Sequence, residues 1–136
     1  MKRREFIALA AASTFVPLAT FAEPANYTPG MAKKALAEGK TVFLDFSASW
    51  CGTCAAQGRV IDALREENPD YNKNITFLKV DWDNYGNGEL SNKLRIPRRS
   101  TLVVLKGDKE LGRIVAGTAR KQIKALMDAA LTAATS

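Results

Sequence analysis

Thr41-Val42-Phe43-Leu44-Asp45-Phe46-Ser47-Ala48-Ser49-Trp50-Cys51-Gly52-Thr53-Cys54 is the stretch that decides the architecture. Thr41 to Phe46 is a nearly continuous apolar run of strand length and β-favouring type, the pattern of a strand buried on both faces. Small and polar residues end the run, and two cysteines follow at a spacing that puts both on the first turn of a helix. That helix is predicted to run to about Glu67, with Val60, Ile61 and Leu64 on one face and Pro69 just past its end.

The pattern continues outward on both sides. Upstream, a short polar stretch from Glu23 to Thr28 leads into a helix predicted to hold Pro29 in its first turn and to end near Glu38, closed by Gly39-Lys40. Downstream, Ile75 to Val80 reads as a second strand, Asp81 to Gly88 as a polar, turn-rich loop, and Glu89 to Leu94 as a short helix. Thr101 to Leu105 and Leu111 to Val115 flank Lys106-Gly107-Asp108-Lys109, which reads as an antiparallel hairpin. Gly117 breaks the last strand, and Thr118 is expected to cap a final helix. In that helix Ile123, Leu126, Met127, Ala130 and Leu131 recur at helical spacing and form an apolar face. The order α-β-α-β-α-β-β-α combines a crossover unit with a terminal hairpin. It predicts an α/β fold with a central mixed sheet of about four strands flanked by helices. The chain has 136 residues and no internal repeat or low-complexity linker, so residues 23–136 are expected to form one domain.

Residues 1–22 read differently. Lys2 to Arg4 is basic, Phe6 to Phe21 is apolar, and Thr20-Phe21-Ala22 places small residues where a signal peptidase reads them. This is the grammar of an export signal, with the mature chain beginning near Glu23. The apolar run is short for a membrane span, which needs ~20 residues, and Pro17 interrupts it, so membrane contact is expected only through this segment. Arg3-Arg4 followed by Glu5-Phe6-Ile7 resembles a twin-arginine signal, but Lys2 and Ala8 depart from that pattern and an ordinary basic n-region fits as well.

Composition narrows the function. At 46% hydrophobic and 25% charged residues the chain has material for a real core. Of the net charge of +6, Lys2, Arg3, Arg4 and Glu5 contribute +2, and the +4 that remains is dispersed rather than gathered into a stripe. That reads as a solvated surface and argues against a nucleic-acid partner. The absence of histidine removes His-based acid–base chemistry and His metal ligands. Two cysteines three positions apart are too few for a disulfide-stapled framework.

Cysteines so placed on a helix start close a small disulfide and reopen it. The first sulfur is expected to sit exposed at the helix N-terminus, where orphan N–H groups and the macrodipole stabilise a thiolate. The second, one turn in, is expected to be better shielded. Cys51 then attacks a substrate disulfide and Cys54 resolves the mixed disulfide. Gly52 is expected to allow the tight turn into the helix, and Trp50 to offer a flat apolar platform. The spacing alone also fits half a zinc site, a copper pair or a structural bridge. Zinc wants four N or S ligands and this chain offers no second pair, while a bridge closing so small a loop stabilises little. A module holding a soft ion such as Cu(I) on the two thiolates stays open beside redox exchange, although no Met or His cluster lies near the cysteines to add ligands.

The run Asp45-Phe46-Ser47-Ala48-Ser49-Trp50-Cys51-Gly52-Thr53-Cys54 resembles the active-site strand and turn of the thioredoxin family. The similarity extends from about residue 30 to about residue 131 and includes Phe77-Leu78-Lys79-Val80-Asp81, the hairpin and the closing helix. It implies a thioredoxin-like fold and a monomeric protein-disulfide oxidoreductase acting on protein disulfides without a cofactor or metal. In that resemblance Asp45 lies behind the buried cysteine and helps move its proton, and Lys79 pairs with it from the next strand. A carboxylate in an apolar strand is costly without a partner or a task, and the plainer alternative is a strand end that reaches water. Thr53 departs from the family's usual proline, which leaves the redox potential open. The export signal and the wording of the motif are similar to those of periplasmic relatives that receive electrons through a membrane thiol carrier, with reduction favoured over oxidation.

A second departure concerns the residue before the Thr101-Leu102 strand. The family carries a cis-proline there, packed against the active-site disulfide, whereas this chain has Ser100, with Pro97 three residues earlier. A cis bond before a non-proline costs ~2.5–4 kcal/mol, so the Arg99–Ser100 peptide is predicted to be trans. Arg99, Ser100 and Thr101 are expected to contact substrate. A serine at 100 retains an N–H and brings a hydroxyl close to the sulfurs. It is expected to change how substrate backbone pairs beside Cys51 and to open an approach for a metal when both thiols are reduced. Arg98 and Arg99 read either as favouring acidic substrate segments or as solvated surface charges.

Overall fold

The computed structural model describes residues 23–136, so the export signal read in residues 1–22 lies outside the described residues. The chain runs β1 (Ala25–Asn26), α1 (Met31–Ala37), β2 (Thr41–Ser47), α2 (Gly52–Glu67), α3 (Asp70–Asn74), β3 (Ile75–Asp81), α4 (Trp82–Tyr85), α5 (Glu89–Lys93), β4 (Thr101–Lys106), β5 (Lys109–Val115) and α6 (Arg120–Thr135). The strands form one sheet in the order β1-β3-β2-β4-β5. β1 and β2 run parallel to β3, and β4 runs antiparallel to both β2 and β5.

Strand alternation sorts the core into two layers. On one face Phe43, Phe77, Leu102 and Val104 meet Ile61 and Leu64 of α2, Tyr71 of α3, and Ile123, Leu126, Met127 and Ala130 of α6. On the other, Val42, Leu44, Phe46, Leu78, Val80, Val103 and Leu105 pack with Ala32 and Ala35 of α1, Tyr27 and Ile96. β2 therefore has apolar side chains on both faces and a partner strand on both edges, which is why its sequence does not alternate. Lys106 Nζ, at the end of β4, donates to the Ala133 carbonyl and fixes the far end of α6.

Several elements differ from the sequence reading. The sheet has five strands rather than about four. The extra one, β1, spans two exposed residues and is held by its register with Leu78 and Lys79, so it carries no hydrophobic signal. α1 begins at Met31, because Gly30 at its N-cap takes φ 94°, and Pro29 therefore stands outside the helix. The hairpin loop narrows to Gly107-Asp108, with Gly107 at φ 61°, a glycine-favouring turn conformation. Thr118 does not cap α6; Ala119 takes the N-cap position without a side-chain hydrogen bond.

Two short helices are absent from the sequence reading, which assigns nothing to 70–74 and a turn-rich loop to 81–88. Pro69, taken as the stop after α2, is also the N-cap of α3, whose Asp70 lies in the first turn. Asp81 caps α4, accepting from the Asp83 N–H at 3.3 Å and from Asn84 Nδ2 at 2.6 Å.

Candidate active site

Ser47 ends β2, Ala48 to Trp50 make the turn, and Cys51 is the N-cap of α2. Its sulfur accepts the Cys54 N–H at 3.1 Å, in the manner of a capping oxygen. Cys51 and Cys54 are joined as a disulfide, with Cα atoms 5.2 Å apart. The expected contrast of an exposed first sulfur and a shielded second does not hold for this oxidised state, since both residues are 5% exposed. Ala48 and Trp82 pack against the pair, and Ser100 covers it. What distinguishes the two is position along α2: Cys51 sits at the cap, nearest the helix N-terminus, and Cys54 one turn in.

Gly52 does not have the role expected of it. Its φ is not positive and an added Cβ would meet nothing within 4 Å, so the turn into α2 does not require glycine. It is exposed and leaves the surface beside Cys51 bare, next to a half-buried Thr53. Trp50 is 60% exposed, and its indole Nε1 donates to both carboxylate oxygens of Asp83 at 3.1 Å. The Arg99 guanidinium lies 4.5 Å from the Trp50 ring centroid, a cation–π distance. Arg99 Nε is shielded from solvent without a hydrogen-bond partner. A polar hollow of about 500 Å³, lined by Ser47, Ser49, Lys79, Asp81 and Asp83 among others, opens on this side. A cleft of about 560 Å³ lies between α1 and α5 and has neither cysteine in its lining.

Asp45 is in register with Lys79 of β3 and Leu102 of β4. Alternation along β2 places it on the face of Phe43, the face that α2 covers. Its Oδ1 is buried without a hydrogen-bond partner. Burial pushes the carboxyl up to about 6; the Lys79 ammonium works against that rise and the Asp62 carboxylate adds to it. Lys79 itself is exposed, and among the described residues no ion pair closes between it and Asp45, so it acts as a nearby charge rather than a bonded partner.

Ser100, fully buried, stands at the disulfide in place of Pro97, with its Oγ 3.0 Å from Cys54 Sγ and 3.2 Å from Cys51 Sγ. No described peptide bond is cis. The hydroxyl lies close to the sulfurs as expected, while the Ser100 N–H is taken up within the chain: it donates to the Phe46 carbonyl at 2.7 Å, and the Ser100 carbonyl accepts the Ala116 N–H at 2.8 Å. Thr101 is likewise turned inward, fully buried, with its hydroxyl donating to the Arg98 carbonyl at 2.7 Å. Arg98 Nε donates to the Arg99 carbonyl at 3.0 Å. Of Arg99, Ser100 and Thr101, only Arg99 is not buried, its guanidinium lying over Trp50.

Two residues of the site were missed by the sequence reading. Asp83 anchors Trp50 and was passed over inside a stretch read as loop. Gln57, fully buried on α2, donates through Nε2 to the carbonyls of Ser100 and Gly117, each at 2.9 Å. A glutamine at position 57, beside the inward-facing Ile61 and Leu64 positions of the same helix, is the signal that was available for it.

The family model described as Thioredoxin matches residues 23–129. Thioredoxin H2-1 of Oryza sativa is 37% identical over 76 residues, which is 56% of this chain and 51% of that protein, so the match spans about half the length of this relative. Thioredoxin-1 of Saccharomyces cerevisiae is 32% identical over 81 residues, 60% of this chain and 73% of the yeast protein. Among solved structures, Trxlp of Edwardsiella tarda superposes with a TM-score of 0.65 at 24% identity, covering 76% of this chain and 98% of that one. The Deadhead thioredoxin of Drosophila melanogaster gives 0.62 at 23%, covering 79% and 97%. At these identities the structural likeness speaks for the fold.

Proposed function

The chain belongs to the thioredoxin family of disulfide oxidoreductases, and from that premise we propose that it reduces protein disulfides in the cell envelope. The observation that carries this is the Cys51–Cys54 disulfide on the first turn of α2. In the reduced protein the Cys51 thiolate, favoured by the helix N-terminus, attacks a substrate disulfide; one substrate sulfur leaves and a mixed disulfide forms. Cys54 then loses its proton, attacks Cys51 Sγ and expels the second substrate thiol, which regenerates the bridge. Asp45, raised to about 6 by burial, is mostly ionised at neutral pH and is the base we assign to the Cys54 proton.

Residues 1–22 support a periplasmic location, and electrons then reach the bridge through a membrane thiol carrier. No helix of the described residues is long and apolar enough to cross a membrane. Trp50 with Arg99 stacked on it forms the substrate contact beside Cys51. Cys51→Ser should abolish reduction of a test disulfide, and Cys54→Ser should accumulate mixed disulfides detectable by mass. Wild-type turnover in both variants would remove the mechanism. A reduced protein that bound Cu(I) tightly and reduced no disulfide would move the pair to metal binding. A midpoint measured against glutathione fixes the direction: the thioredoxin end of the range supports reduction, the disulfide-donor end opposes it.

A further inference from the structure

We propose that the Ser100 hydroxyl donates its one hydrogen bond to the thiolate sulfur of the reduced Cys51–Cys54 pair, and that Gln57 is the residue that positions it. The inference rests on the thiol–disulfide reading of the pair. A disulfide sulfur is a weak acceptor, but a thiolate is a charged one and takes a stronger hydrogen bond. With Oγ 3.0 and 3.2 Å from the two sulfurs and no solvent exposure at Ser100, water does not compete for the hydroxyl proton. The contact is therefore stronger after reduction than before it, and it stabilises the reduced form selectively.

The backbone points the same way. Ser100 has φ 62°, a left-handed conformation that glycine adopts freely and other residues seldom do. A buried serine held there has a side-chain reason to be present. The conformation is held by several bonds: Ser100 N–H to Phe46 O, Ala116 N–H to Ser100 O, and Gln57 Nε2 to Ser100 O. Gln57 also ties Gly117 O, so one amide joins the chain on both sides of the β4–β5 hairpin to the helix that carries the cysteines. Two carbonyl acceptors at 2.9 Å fix which end of the amide is nitrogen. Its Oε1 is left buried without a partner, a cost that is understandable where the NH₂ end has a task.

The test uses the reduced full domain and no substrate turnover, so failure here and failure of the exchange reading are separate results. Thiolate absorbance is titrated and the equilibrium with glutathione measured for wild type, Ser100→Ala, Ser100→Gly and Gln57→Leu. Ser100→Gly relaxes the left-handed backbone, so a purely conformational role for Ser100 predicts wild-type behaviour from it. The hydroxyl role predicts that both Ser100 variants raise the first apparent pKa of the dithiol by ~1 unit. It also predicts a shift of the glutathione equilibrium toward the disulfide of about tenfold, or about 30 mV. Gln57→Leu, which touches neither sulfur nor hydroxyl, should move both readouts in the same direction by less. Wild-type values for Ser100→Gly overturn the hydroxyl role, and wild-type values for Gln57→Leu overturn the positioning role.

Discussion

Asp45→Asn should make the protein more stable at neutral pH, and the size of the gain is set by how far burial has moved this carboxyl. In the unfolded chain it titrates near 3.8, and in the folded protein near 6. Below 3.8 both states hold the proton and the group has no effect on stability. Between the two values the unfolded chain has released its proton while the folded protein still keeps it, so stability falls as pH rises. Above 6 both are ionised and the full penalty persists. The displacement of roughly two units corresponds to an upper bound of about 3 kcal/mol. Denaturant unfolding of the oxidised protein at pH 4, 5, 6 and 8 would measure it. The difference between Asn and wild type should be small at pH 4, grow through pH 6 and level off, with m-values unchanged. A difference that is the same at every pH would mean that Asp45 is solvated in the folded state, and would remove it from the proton transfer as well.

Other outcomes follow from the same structure. Arg99→Glu should slow reduction of a disulfide peptide with acidic flanks by about fivefold relative to one with basic flanks, the contrast shrinking as salt rises; equal rates would return Arg99 to an ordinary surface charge. Met127→Ala, which empties a fully buried site in the layer beneath α6, should cost about 2–5 kcal/mol in denaturant unfolding. Mass spectrometry of the exported protein should find a chain beginning near Glu23, and a retained Met1 in the membrane fraction would argue for an uncleaved N-terminal anchor instead.

The sheet was legible in the sequence wherever burial imposed a pattern. β2 announced itself because a strand with helices on both faces must be apolar throughout, and α6 because Ile123, Leu126, Met127 and Ala130 recur with the helical period. β1 was invisible for the opposite reason: two exposed residues held by backbone hydrogen bonds carry no side-chain signature. α3 and α4 are single short turns defined by their caps, Pro69 and Asp81, and each cap was readable equally well as punctuation of the element before it. At the site, Ser100 was found by counting from Thr101, but where its N–H goes depends on Phe46, more than fifty positions upstream, and no local pattern encodes that pairing. Gln57 lay in plain view as an amide on an apolar helix face and went unweighed; its partners, the carbonyls of Ser100 and Gly117, exist only in the folded arrangement.

The central place of β2 also ties the completion of the sheet to the closing of the site. Its Phe46 pairs with Val80 on one side and with Thr101 on the other, so neither neighbour is local and both loops must close before the contacts reward them. The cover over the sulfurs belongs to the second of these pairings, because Ser100 is fastened to Phe46 at the very start of β4. Without β4 in place the two sulfurs would lack the Ser100 hydroxyl that lies across them, and the reduced pair would be more open to exchange with any disulfide in reach. The strand that completes the sheet on this side of β2 is thus also the one that closes the site, so a change that loosens residues 101–106 from β2 loosens the shield over the sulfurs with it.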